Sequence, residues 1–121
     1  MARILVVDDS PTEAHVLKGM LEKNGHTVST APDGESGIAK AKEEKPELIL
    51  MDVVMPGLNG FQATRALTKD PETQNIPIII VTTKDQETDR VWGLRQGAKD
   101  YITKPVDEAE LVSKMNTALA G

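Results

Sequence analysis

Short apolar runs rich in β-branched residues alternate along this chain with longer segments in which apolar positions recur every three or four residues. The runs Ile4–Val7, Thr27–Thr30, Leu48–Met51, Ile78–Val81 and Tyr101–Thr103 predict five strands. Several are apolar on consecutive positions rather than on every second one. That pattern belongs to strands covered on both faces, as in a parallel sheet.

The intervening segments predict five helices. Ser10-Pro11-Thr12-Glu13 reads as a capping-box start, with a capping serine, proline at the first helical position and glutamate at the third. Ala14, Leu17 and Leu21 follow at helical spacing, and Asn24-Gly25 supplies a left-handed stop. Asp33-Gly34 opens a second helix, apolar at Ile38 and Ala41, that ends before Pro46. Asn59 caps a third carrying Ala63 and Leu67, with Pro71 beyond its end. A fourth spans Asp85–Gln96 and stops at Gly97. The fifth begins with a second capping box, Asp107 to Glu110, and turns Leu111, Met115 and Leu119 inward.

Five strand–helix units in sequence predict an α/β fold, a single doubly wound five-stranded parallel sheet with five helices on its two faces. The length of 121 residues suits one core, so residues 1–121 are expected to form one domain. Nineteen acids against fourteen bases leave a net charge of −5 with no basic stripe, which argues against nucleic acid as a partner. The absence of cysteine excludes thiol chemistry and suits a reducing compartment. No leader-like segment or long apolar run is visible, so no membrane insertion and a cytoplasmic location are expected.

Ligands of such sheets bind beyond the carboxyl ends of the strands. Asp8 and Asp9 follow the first strand, Asp52 the third, Thr82 the fourth and Lys104 the fifth. Each residue alone has an ordinary reading: an aspartate after a strand is commonly a turn former, and a lone lysine is commonly solvated. Together they place three carboxylates, a hydroxyl and one amine at the same edge. Such carboxylates repel unless protonated or bridged by a cation, and an all-oxygen site selects a hard ion such as Mg2+.

These residues are embedded in a set of fragments that resembles the receiver domains of two-component response regulators. The fragments are Val6-Val7-Asp8-Asp9-Ser10, Met51-Asp52-Val53-Val54-Met55-Pro56-Gly57-Leu58-Asn59-Gly60, Ile80-Val81-Thr82-Thr83, Gly97-Ala98 and Tyr101-Ile102-Thr103-Lys104-Pro105. All occur in order, from Arg3 to the last helix. Met51–Thr64, Thr82–Gln86, Trp92 and Arg95-Gln96-Gly97-Ala98 are particularly similar to single-domain members associated with type IV pilus twitching motility.

The resemblance implies a flavodoxin-like, CheY-like strand order of 2-1-3-4-5 and a phosphorylation-dependent switch. By that resemblance Asp52 is the phosphoacceptor for a sensor histidine kinase. Asp9, Asp52 and the Val54 backbone carbonyl hold Mg2+ or Mn2+, with Asp8 acting through water. Lys104 pairs with Asp52 at rest and with the phosphoryl group afterwards, and Lys104-Pro105 is cis. Thr82 and Tyr101 form the switch, Tyr101 turning inward as Thr82 is drawn to the phosphoryl group. A downstream protein target is implied without being identified, for a monomer or weak dimer whose chemistry is self-directed rather than that of a turnover enzyme. Trp92 serves either a partner surface or packing. Thr83, Lys84 and Val53-Val54 depart from many receivers at the rim of the pocket.

Three other readings stay open on sequence. A phosphate sink or phosphorelay intermediate would use the same residues. A flavodoxin-like cofactor binder would share the layout, although Asp8-Asp9 oppose a flavin phosphate. An aspartyl-phosphate hydrolase would need an acid two residues after Asp52, where Val54 stands.

Overall fold

The computed structural model describes residues 1–121. Its strands are β1 (Arg3–Val7), β2 (Thr27–Ala31), β3 (Leu48–Met51), β4 (Ile78–Thr82) and β5 (Asp100–Thr103). They alternate with α1 (Pro11–Lys23), α2 (Gly34–Glu44), α3 (Gly60–Lys69), α4 (Glu87–Arg95) and α5 (Glu108–Ala120). All strand pairs are parallel and the order is β2-β1-β3-β4-β5, as the family resemblance implied.

The consecutive apolar residues of the central strands feed two cores, because side chains alternate across a sheet. Ile4, Val6, Leu48, Leu50, Ile79 and Val81 face α1 and α5, where they meet Leu17, Leu21, Leu111 and Met115. Leu5, Val7, Ile49, Met51 and Ile78 face the opposite side with Ala41, Ala63 and Leu67 of α2 and α3. A smaller cluster of Val53, Phe61, Ile80, Ala98 and Tyr101 lies toward α4. The edge strand β2 is only half-buried over most of its length, which explains its mixed composition.

Helix starts follow the caps read from sequence, with one reassignment. The Ser10 side chain accepts from the Glu13 amide at 3.3 Å, and Asp107 likewise accepts from Glu110 at 3.0 Å. The reciprocal capping box forms instead at α3, where Asn59 and Gln62 exchange bonds of 2.9 Å each way. At α1 the Ser10 amide is already donated to Asp8 Oδ1 at 2.9 Å, so Glu13 is released from a capping role. Helix α4 starts at Glu87, two residues after the expected Asp85, and its cap Gln86 makes no side-chain capping bond. Gly25 and Gly97 take positive φ at the helix stops, and Leu119 is only partly buried.

Register lines up the carboxyl ends. Val7 lies beside both Ala31 and Met51, and Thr82 lies beside Thr103. The residues that follow, Asp8, Asp52 and Lys104, are held by amide bonds to Ala31 (3.0 Å), Val7 (2.9 Å) and Thr82 (2.8 Å). Glycine at position 60 lets α3 begin directly over the end of β3, because a Cβ there would overlap the Asp52 carbonyl oxygen. Backbone is what it would meet, so no rotamer change relieves the clash. Gly60→Ala is therefore expected to lower stability by about 2–3 kcal/mol, the range of severe overpacking. Urea unfolding measures it, and an unchanged midpoint would refute the close-approach argument.

Candidate functional site

The edge built by those strand ends gathers three acids and one base. Carboxylate oxygens of Asp8, Asp9 and Asp52 lie within 4.8 Å of one another. Asp8 and Asp52 are buried, at 3 % and 7 % exposure, whereas Asp9 is exposed. The Lys104 ammonium reaches in from the end of β5, 2.8 Å from Asp8 Oδ2 and 3.3 Å from Asp52 Oδ2. The Lys104–Pro105 peptide is cis.

Each carboxylate is oriented by backbone as well as by charge. Asp8 Oδ1 accepts from the Ser10 amide, turning the chain into α1. Asp52 Oδ1 accepts from the Val53 amide at 2.7 Å, which leaves Oδ2 toward Lys104. Asp8 thus combines the turn-forming role open to any aspartate after a strand with membership of the charged cluster.

Burial pushes the Asp52 carboxyl above the ordinary aspartate range, and the neighbouring Asp8 charge adds to the rise. The Lys104 charge, the Thr82 side chain and the Val53 amide act in the opposite direction. For Lys104, burial alone would favour the neutral amine, but bonding to Asp8 and Glu13 and the charge on Asp52 raise its pKa instead.

Of the other residues singled out by sequence, Thr82 is fully buried at the end of β4 and belongs to this cluster. Its Oγ1 accepts from the Lys84 amide at 3.4 Å. Val54 lies on the turn after β3 and its side chain is largely exposed. Tyr101 is buried rather than poised outside, and its hydroxyl donates to the Lys84 carbonyl at 2.7 Å. Burial, followed by the charges of Asp89, Asp52 and Asp85, pushes that hydroxyl up to about 12. Trp92 is half-exposed, so it is not part of the core.

Sequence reasoning missed Glu13, whose Oε1 lies 3.1 Å from Lys104 Nζ. Its place three residues after Ser10 suggested a cap, and only the long-range proximity of α1 to β5 reveals the other partner.

Chemically, this donor set suits a cation. The donors are all oxygen, two of the three carboxylates are desolvated, and a single ammonium offsets them. A hard divalent ion fits that donor set better than a soft one.

Three comparisons bear on this geometry. Residues 4–116 match the model of the response regulator receiver domain. The chain is 68% identical to protein PilH of Pseudomonas aeruginosa over 121 residues, covering 100% of both, in line with the narrower resemblance. Its structure is similar to chemotaxis protein CheY4 of Vibrio cholerae, with a TM-score of 0.90 and 30% identity, covering 98% of both chains. It is also similar to the receiver domain of sensor histidine kinase PA1611 from Pseudomonas aeruginosa, whose structure has a magnesium ion coordinated in the active-site cleft. That match has a TM-score of 0.91 and 32% identity, covering 99% of this chain and 98% of the other.

The raised pKa of Asp52 has a consequence for stability. A carboxyl that binds its proton more tightly when folded contributes stability in full below its unfolded pKa, and that contribution is lost as pH rises through the folded value. In metal-free buffer, Asp52→Asn should therefore unfold at a higher temperature than the parent at pH 7, with the gap closing below about pH 4. Thermal melts across that range check it; a lower midpoint for the variant at pH 7 would contradict the sign.

Proposed function

The chain belongs to the response regulator receiver family, and from that premise we propose that residues 1–121 act as a cytoplasmic single-domain switch phosphorylated on Asp52 by a sensor histidine kinase. The observation that carries this reading is the convergence of Asp8, Asp9 and Asp52 on one strand edge, with Lys104 inserted between two of them.

The reaction asks little covalent work of the protein. An Asp52 carboxylate oxygen attacks the phosphorus of a phosphohistidine, an O–P bond forms as the N–P bond breaks, and the electron pair returns to the imidazole. No general base is needed, because the nucleophile is a carboxylate. Burial favours the protonated form of Asp52, and the Lys104 charge counters it by keeping the attacking form available. Positioning and neutralisation of the peripheral oxygens carry most of the catalysis.

Asp9, Asp52 and the Val54 carbonyl would hold Mg2+ or Mn2+, with Asp8 acting through water. When bound, the ion supplies the positive charge that one lysine cannot. Lys104 then turns toward a phosphoryl oxygen, and the Thr82 hydroxyl is drawn the same way. Tyr101 and Thr82 both hold Lys84, so displacement of Thr82 alters the start of α4. The altered face recruits a downstream protein. The similarity to PilH and the earlier resemblance to pilus-motility regulators favour a role in type IV pilus twitching or a related chemotaxis-like pathway.

Incubation with acetyl phosphate and Mg2+ should place one phosphoryl group on Asp52 as an acid-stable, base-labile anhydride. Omission of the metal or Asp52→Asn should prevent it, and Asp9→Asn should weaken Mg2+ binding by about tenfold or more. Labelling that maps elsewhere, or proceeds equally with metal chelated, would overturn the proposal.

A further inference from the structure

Glu13 occupies an unusual position for a residue in the first turn of a helix. The third helical residue normally reaches back to the amide of its cap. Here that amide belongs to Asp8, at 2.9 Å. With its local partner taken, Glu13 extends across to β5 and places Oε1 3.1 Å from the Lys104 ammonium. The Lys104 side chain is only 7% exposed, whereas that of Glu13 is 47% exposed, so Glu13 approaches from the solvent side. It also lines the mouth of a groove of about 290 Å³ shared with Val16, Leu17, Met20, Pro105 and Val106.

An ammonium has three N–H donors. Three carboxylates surround this one, at 2.8 Å (Asp8), 3.1 Å (Glu13) and 3.3 Å (Asp52). A phosphoryl oxygen arriving on Asp52 competes with them for the same ammonium. Asp8 is buried and also fixed by the Ser10 amide, and Asp52 is itself consumed by the new bond. Glu13, by contrast, is neither buried nor consumed. It also adds negative charge facing an incoming dianion, in a site where acids already outnumber bases.

We propose that Glu13 is a positioning residue that restrains Lys104 from its solvent side and so lowers the affinity of the site for the phosphoryl group. The inference rests on the receiver reading of Asp52 and Lys104 given above. Glu13 itself touches neither Asp52 nor the reacting atoms; it acts through Lys104.

The test is a titration of the full chain with beryllofluoride, a stable mimic of the phosphoryl group, at saturating Mg2+. Glu13→Gln should lower the half-saturating concentration by about fivefold, the upper range for a half-exposed ion pair. Glu22→Gln removes the same charge from the far end of α1 and should leave it unmoved. Thermal midpoints of both variants confirm that each is folded, and Glu13→Ala supplies a second substitution should the first be unstable. An unmoved or raised half-saturation for folded Glu13 variants would overturn the inference, as would an equal gain from Glu22→Gln, which would reduce the effect to net charge. Failure of the parent protein to take up beryllofluoride at all would overturn the receiver reading and this inference with it.

Discussion

Register places Asp8 beside Asp52, and no local adjustment can separate them. Val7 and Met51 are paired neighbours in the sheet, so the residues that follow them leave the same edge together. Both side chains are buried there, and burial together with the neighbouring Asp8 charge raises the proton affinity of Asp52. The Lys104 ammonium is what makes the arrangement tolerable. It bridges the two acids from β5, and β5 is anchored beside β4 by the Thr82–Thr103 pairing and the bond from the Lys104 amide to the Thr82 carbonyl. Removing the ammonium would leave both buried carboxylates uncompensated, a loss that typically costs about 3–5 kcal/mol. The order β1-β3-β4-β5 is thus a folding topology and also the frame that holds a charged cluster closed.

The sequence makes the sheet legible because burial on both faces leaves a mark that needs no partner information. Leu48–Met51 and Ile78–Val81 are apolar on every position, and each residue is buried. The acids at the strand ends are legible for a related reason: the end of an apolar run marks the functional edge, so Asp8, Asp52 and Lys104 can be placed there before any coordinates. Their mutual distances cannot, since these depend on strand order, and here that order came from resemblance to receivers rather than from periodicity.

What escaped the sequence has a common cause, competition between a local and a distant partner. Glu13 sits where a capping glutamate belongs, yet Asp8 takes the amide it would cap and Lys104 takes the carboxylate. Asp85 looks like a helix start, yet the chain stays non-helical until Glu87 while the Tyr101 hydroxyl holds the Lys84 carbonyl. Tyr101 itself is a buried clamp on that loop in this structure, and its expected inward turn was implied by the family resemblance rather than by the residues themselves. In each case the winning contact joins segments 17 or more residues apart, farther than a turn or cap reaches.

The same loop shows how the charged edge can reach the surface. Lys84 is bracketed on both sides of its backbone, its amide by Thr82 Oγ1 at 3.4 Å and its carbonyl by the Tyr101 hydroxyl at 2.7 Å. The first bond is long and the second is short, so the bracket yields on the Thr82 side first. Helix α4, which follows at once, lacks a side-chain cap on its first turn and is therefore the helix whose start is least fixed locally. It carries Val91 and Trp92, both substantially exposed. A pull on Thr82 from the Asp52 side, as the proposed switch requires, would act on the weaker of two bonds, at the least anchored helix start, beneath an apolar surface. In that switch the charge balance around Lys104 would govern both whether a phosphoryl group is held and how much of the energy of binding it is left to move α4.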